Sequence, residues 1–172
     1  YQILLGILQW NFSVGRFELG PAVSSLNRFG ACPREGHLDL IKYVFGYLKY
    51  AQNKNHSIAI DSNPMEYERQ YPNYEELVPD FLKEYPDAKE EIDPGFPVPY
   101  GNVLETTILV DNNHAHDKKT RRSLTGLIVF VGSTPVVWSS KRQLTIASST
   151  YAAEFSALFT ATEEAINVRY CL

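Results

Sequence analysis

The stretch ILVDNNHAHDKKTRRSLTG, residues 108–126, decides how the second half of this chain is read. Its apolar run, Ile108-Leu109-Val110, stops abruptly at Asp111, and two asparagines, two histidines, Asp117 and a burst of Lys and Arg follow. An apolar, β-branched run that stops at a carboxylate predicts a strand delivering an acid to the edge of a sheet. Just downstream, SLTGLIVFVGSTPVVWSSKRQ (123–143) predicts two more strands turned at GSTP, since Gly and Pro mark a hairpin. SSTYAAEFSALFTATEEAINVRYC then predicts a long amphipathic helix that Ser148, Ser149 or Thr150 can cap. The resulting order is β-β-β-α.

Upstream the character is different. Residues 1–50 read as helical. PAVSSLNRF (21–29) starts with Pro at a position suited to a first turn, and REGHLDLIKYVFGYLKY (34–50) repeats Leu38, Ile41, Val44, Phe45 and Leu48 along one helix face. HSIAIDS (56–62) predicts a short strand. Between Asn63 and Gly101 lie seven of the ten prolines, together with ten acids from Glu66 to Asp93. Pro at that density breaks any long helix or central strand, so an extended connector with a short helical turn is expected. The acidic residues have no fixed ligand spacing and read as a solvated face rather than a metal site. Three regions are therefore expected: helical residues 1–55, an acidic connector 56–101, and a mixed α/β unit 102–172.

Composition bounds the function classes. The chain has 172 residues, 44% hydrophobic and 13% aromatic, which is globular rather than disordered. A net charge of −4 gives no global nucleic-acid signature, but it conceals the local cluster Lys118, Lys119, Arg121, Arg122, Lys141 and Arg142. Cys32 and Cys171 are far apart and lack CxxC spacing, which argues against a disulfide framework or structural zinc. No apolar run approaches the roughly 18 residues of a membrane span, and no signal peptide is visible. The start at Tyr1 and the stop inside a helical pattern read as cuts from something longer.

Asp111 and Glu154 are the candidate acid pair, although an Asp at a strand end is in itself common. If the long helix packs across the sheet, its first turns can bring Glu154 beside Asp111. Two converging carboxylates repel unless a cation or proton sits between them, and oxygen-only ligands suit Mg²⁺ or Mn²⁺. The basic cluster, with Arg121, Arg122, Lys141 and Arg142 foremost, would track a nucleic-acid backbone. His114 and His116 read either as ligands or as members of a polar loop, and Trp138 as hairpin packing. Neither a glycine elbow around the serines nor a phosphate-cradling loop is present.

Four ordered segments, VDNNHAHD, TRRSLTG, PVVWSSKRQ and SSTYAAEFSA, resemble the ribonuclease H domain of copia-type LTR retrotransposon polyproteins, in the form carried by diatoms and other algae. VSSLNRF…CPREGHLDLIKYVFGYLKY resembles the stretch joining the reverse transcriptase thumb to that domain. The resemblance implies an incomplete ribonuclease H-like β-β-β-α core preceded by a helical thumb or connection fragment. It implies a two-metal hydrolysis of RNA in RNA–DNA hybrids, with Asp111 and Glu154 as metal ligands and Mg²⁺ or Mn²⁺ as cofactor. It also implies the rest of the reverse transcriptase polyprotein as partner, no membrane, and a virus-like particle in the cytoplasm or the nucleus as location. The family's next two acids would lie beyond Leu172, so little nuclease activity is expected of these residues alone. Asn113 departs from the family, which often has a second aspartate there. The alternative is an inactive, truncated relic that at most binds nucleic acid.

Overall fold

The computed structural model describes residues 1–52, 58–61, 63, 94–95 and 104–172. Helix α1 spans Gln2–Ser13, and a 3-10 turn, Phe17–Leu19, leads into α2, Gly20–Asn27. Helix α3 spans Glu35–Gln52. Strands β1 (Thr106–Asn113), β2 (Leu124–Val131) and β3 (Thr134–Arg142) form one antiparallel sheet in the order β1-β2-β3. Helix α4, Thr150–Cys171, follows. The class is mixed α/β, and the β-β-β-α order matches an incomplete ribonuclease H-like core.

Local chemistry explains the elements. Pro21 lies in the first turn of α2, where its missing N–H costs nothing. Of the three candidate caps for α4, Ser149 does the work: its Oγ accepts from the Ala152 N–H at 3.1 Å. The β2–β3 turn has only Gly132 and Ser133 between the strands, and Gly132 at φ +60° supplies the left-handed backbone such a turn demands. Pro135 is tolerated because β3 is an edge strand, and the register shift beside Val129 and Phe130 leaves Val136 as a bulge.

Burial falls into two clusters. Leu5, Leu8, Leu19, Val23, Leu26, Ile41 and Leu48 form the core of the helical half. The predicted stripe of α3 is thus its buried face, Ile41 at its centre. Leu127, Val129 and Val168 form the second cluster, with Ile108, Val110, Val131 and Val137 against it, where α4 covers one sheet face. The helix approaches through Ala153, Ala157 and Ala161, whose small side chains let it lie close.

The halves meet on the other sheet face. Trp138 donates its indole N–H to the Phe12 carbonyl at 2.7 Å, satisfying an orphan acceptor at the end of α1, and its ring lies 6.2 Å from that of Phe17. Packing, not base stacking, occupies this Trp. Ser24 donates to Ser140. Gly20 sits so close that a Cβ would come within 2.9 Å of the Phe12 ring and 3.1 Å of Ser140.

One expected element, the strand over 56–62, does not appear among the described residues. Residues 58–61 form no strand; Asp61 instead exchanges hydrogen bonds with Thr134, its N–H donating to Thr134 Oγ1 at 2.7 Å and its carbonyl accepting at 3.0 Å. The Thr134 side chain, together with the Ser133 N–H at 3.2 Å from the Asp61 carbonyl, takes the backbone groups of Asp61 that a ladder would have used. The rest of the predicted connector lies almost wholly outside the described residues.

Candidate nucleic-acid interface and carboxylate site

Strand alternation sorts the candidate residues onto two faces. Asp111, Gly126 and Ser140 are cross-strand partners, and Ser140 meets Ser24 of α2. This row therefore faces the helical half. The adjacent row is Asn112, Thr125 and Lys141. Gln143 Nε2 lies within 3.1 Å of Asn112 Oδ1, Thr125 Oγ1 and the Ala153 carbonyl, so this row faces α4.

Asp111 accordingly points away from the helix that carries Glu154. Both carboxylates are exposed, and neither has a hydrogen-bond or ion-pair partner among the described residues. Asp111 borders a cavity of about 350 Å³ between the halves, which Glu18 also lines. Among the described residues no group of three His, Cys, Asp or Glu is placed to hold a metal ion. Oxygen donors of the right kind are present, but the two do not converge, and two ions are not held by them alone.

Asp117 organises the basic loop. It is 4% exposed, accepts the N–H of Lys119 at 3.0 Å, and bridges Arg28 at 2.7 Å and Arg142 at 2.9 Å. Its backbone N–H donates to the Arg122 carbonyl, and its own carbonyl accepts from Arg121, which closes the loop on itself. Ala115 and Arg121 take left-handed backbone at the two bends. Buried Ser123 fixes the start of the loop by accepting from the Ala115 N–H. Burial works to raise the Asp117 pKa. The hydrogen bonds from Lys119 and Thr120 and the Arg142 guanidinium outweigh it and hold the carboxyl well below the usual carboxylate range.

The four predicted phosphate-tracking residues separate. Arg122 and Arg142 line a common cavity with Arg28 and His116. Lys141 stands on the α4 face beside Thr125, and Arg121 is exposed at the loop bend. His116 has Asn113 Nδ2 at 3.1 Å from Nδ1 and Ser25 Oγ at 3.5 Å from Nε2, which makes it a member of a polar loop.

Comparison with known proteins now bears on this arrangement. The chain is 27% identical over 164 residues to the retrovirus-related Pol polyprotein from transposon RE1 of Arabidopsis thaliana. The match supports an origin in a retrotransposon polyprotein. It covers 95% of this chain and 8% of that protein's length. No family model and no solved structure matches. Among the described residues, no helix is long and apolar enough to cross a membrane.

Two participants escaped the sequence reading. Arg28 comes from a helix end 89 residues before Asp117, with no local signal. Asp117 carried a signal that passed unused: an Asp followed by two polar residues and Thr is a pattern for side-chain capping of a loop.

Proposed function

We propose that this chain is part of the ribonuclease H-like region of a copia-type retrotransposon reverse transcriptase, of the form carried by diatoms and other algae, which acts on RNA–DNA hybrids. The observation that carries the reading is the similarity to a Pol polyprotein over 95% of the chain, its motif-bearing segments falling on β1, the basic loop, β3 and α4. The remainder of the polyprotein is its working partner, and a virus-like particle or the nucleus its place of action. Residues 1–55 serve as the end of the thumb or connection region, 56–101 as connector, and 102–172 as the nuclease-like part.

In this reading Asp111 and Glu154 are the metal ligands that the segment contributes to a site for Mg²⁺ or Mn²⁺, which would activate water and stabilise the leaving oxygen. Among the described residues neither has a competing partner, which supports that role. Two carboxylates that face apart do not clamp a phosphate between two ions, so these 172 residues bind hybrid more readily than they cut it. Arg121, Arg122, Lys141 and Arg142 supply backbone contacts, and recognition is by duplex shape and 2′-hydroxyls.

The test is hydrolysis of a labelled RNA–DNA hybrid in Mg²⁺ and in Mn²⁺, comparing the chain with a longer product of its reading frame. Cleavage by the longer product, lost in both Asp111→Asn and Glu154→Gln, is the expected result. A folded longer product that leaves the hybrid intact refutes the catalytic reading.

A further inference from the structure

The cavity at the seam between α2 and the basic loop is not explained by packing alone. Its volume is about 240 Å³, and Arg28, Arg122, Arg142, His116, Ser24 and Asn27 are on its walls. At about 30 Å³ per water, it has room for one phosphate group with several waters. Three arginines line it, and among the described residues Asp117 is the one carboxylate on its lining. That carboxylate is already shared between Arg28 and Arg142, each bound through a different oxygen. The Arg122 guanidinium has no hydrogen-bond or ion-pair partner among the described residues. Among the described residues, three arginines and one carboxylate therefore share one concave space.

The positions are fixed before any ligand arrives. Arg28 is held by Asp117 and lies over the Phe29 ring at 5.9 Å from its centroid, with its side chain 25% exposed. Arg142 is half exposed, with one face on Asp117 and the other free. Asp117 thus works as an internal counter-ion that aims two arginines without neutralising three. Planar guanidinium groups so aimed match the oxygens of a tetrahedral anion, and ordering them in advance removes an entropic cost of binding. Lys118, Lys119 and Arg121 lie close by in the same exposed loop, extending the positive surface outward.

We propose that this cavity, walled by Arg28 of the helical half and by Arg122 and Arg142 of the sheet half, binds a single phosphodiester group of a nucleic-acid backbone. The identity of the ligand as nucleic acid rests on the function proposed above; the preference for a phosphate group rests on the cavity itself. Arg28 is the new participant. Through it, the helical half contributes directly to a binding site rather than serving as a spacer.

The experiment measures hybrid affinity of the full chain against salt concentration, for wild type, Arg28→Gln, Arg122→Gln and a Lys49→Gln control from α3, which lines no part of the cavity. Arg28→Gln and Arg122→Gln should each weaken binding about tenfold and lower the salt slope by about one, with Lys49→Gln near wild type. The Arg122 side chain has no partner to lose among the described residues, so its variant is the one expected to keep the fold even if Arg28→Gln loosens the seam. Equal affinity and slope for folded Arg122→Gln and Lys49→Gln overturn the proposal. A second arm titrates inorganic phosphate at low ionic strength and follows the His116 ring resonances by NMR. Saturable shifts in wild type, absent in Arg122→Gln, support the cavity even if hybrid does not bind, in which case it is a free-phosphate site and the nucleic-acid reading fails. No saturable shift in either arm overturns the cavity as an anion site.

Discussion

Asp117 shows how one residue can hold together a loop that looks like a run of solvated charge. Its folded pKa lies below the ordinary carboxylate value of about 3.9, so the unfolded chain takes up the proton first as pH falls. The stabilisation is fully present above about pH 4 and is lost as pH drops further towards the folded value. Chemical denaturation followed by circular dichroism at several pH values should show Asp117→Asn less stable than wild type at pH 7. The gap should narrow steadily below pH 4, because the variant has no such proton to gain; a constant gap would remove the assignment. Sequence reading ended the strand at Asp111, whereas β1 continues to Asn113 with Asp111 paired to Gly126, and it did not give the direction of the side chain. In Val110-Asp111-Asn112-Asn113 three successive polar residues leave the alternation without a hydrophobic marker, so the chain alone does not say which of them faces α4.

At the level of elements, local signals were strong wherever the backbone had to do something specific. Pro21, Gly132, Ser149 and the apolar stripe of α3 each predicted a feature that is present. The strand expected over 56–62 does not form at the described residues 58–61, where Asp61 bonds instead to Thr134, a partner distant in sequence. Docking of α2 against β3 was illegible for the same reason, since it depends on an absent side chain at Gly20. Gly20→Ala should destabilise the protein by about 1–3 kcal/mol, because the added methyl must displace the Phe12 ring or Ser140. Thermal denaturation checks this, and a Tm equal to wild type would show that the seam yields freely. Helix α4 presents the converse case: its alanines bury against the sheet while Tyr151, Phe155, Leu158, Phe159 and Ile166 stay exposed.

Across the whole molecule, one small core lies between the sheet and α4, and the other is built by the helices alone, which meet the opposite sheet face through Trp138 and Ser24. The outer edge of β1 has no neighbouring strand among the described residues, and α4 presents its aromatic and aliphatic surface beside it. Both features favour association. Sedimentation velocity should show concentration-dependent self-association of the chain, relieved by Phe155→Lys with Phe159→Lys; a monomer at all concentrations would mean those surfaces are covered. The fold class was legible because it rests on short-range pattern. The cavity was not, because its walls come from residues 24–28, 116–122 and 140–142, which only the folded chain brings together. Trp138 carries a further consequence. The chain has two tryptophans: Trp10 is 69% exposed, while Trp138 is hydrogen-bonded at the seam. Its emission is therefore a built-in optical gauge of the joint: separation of the halves red-shifts one fluorophore against the constant signal of the other, before either core melts.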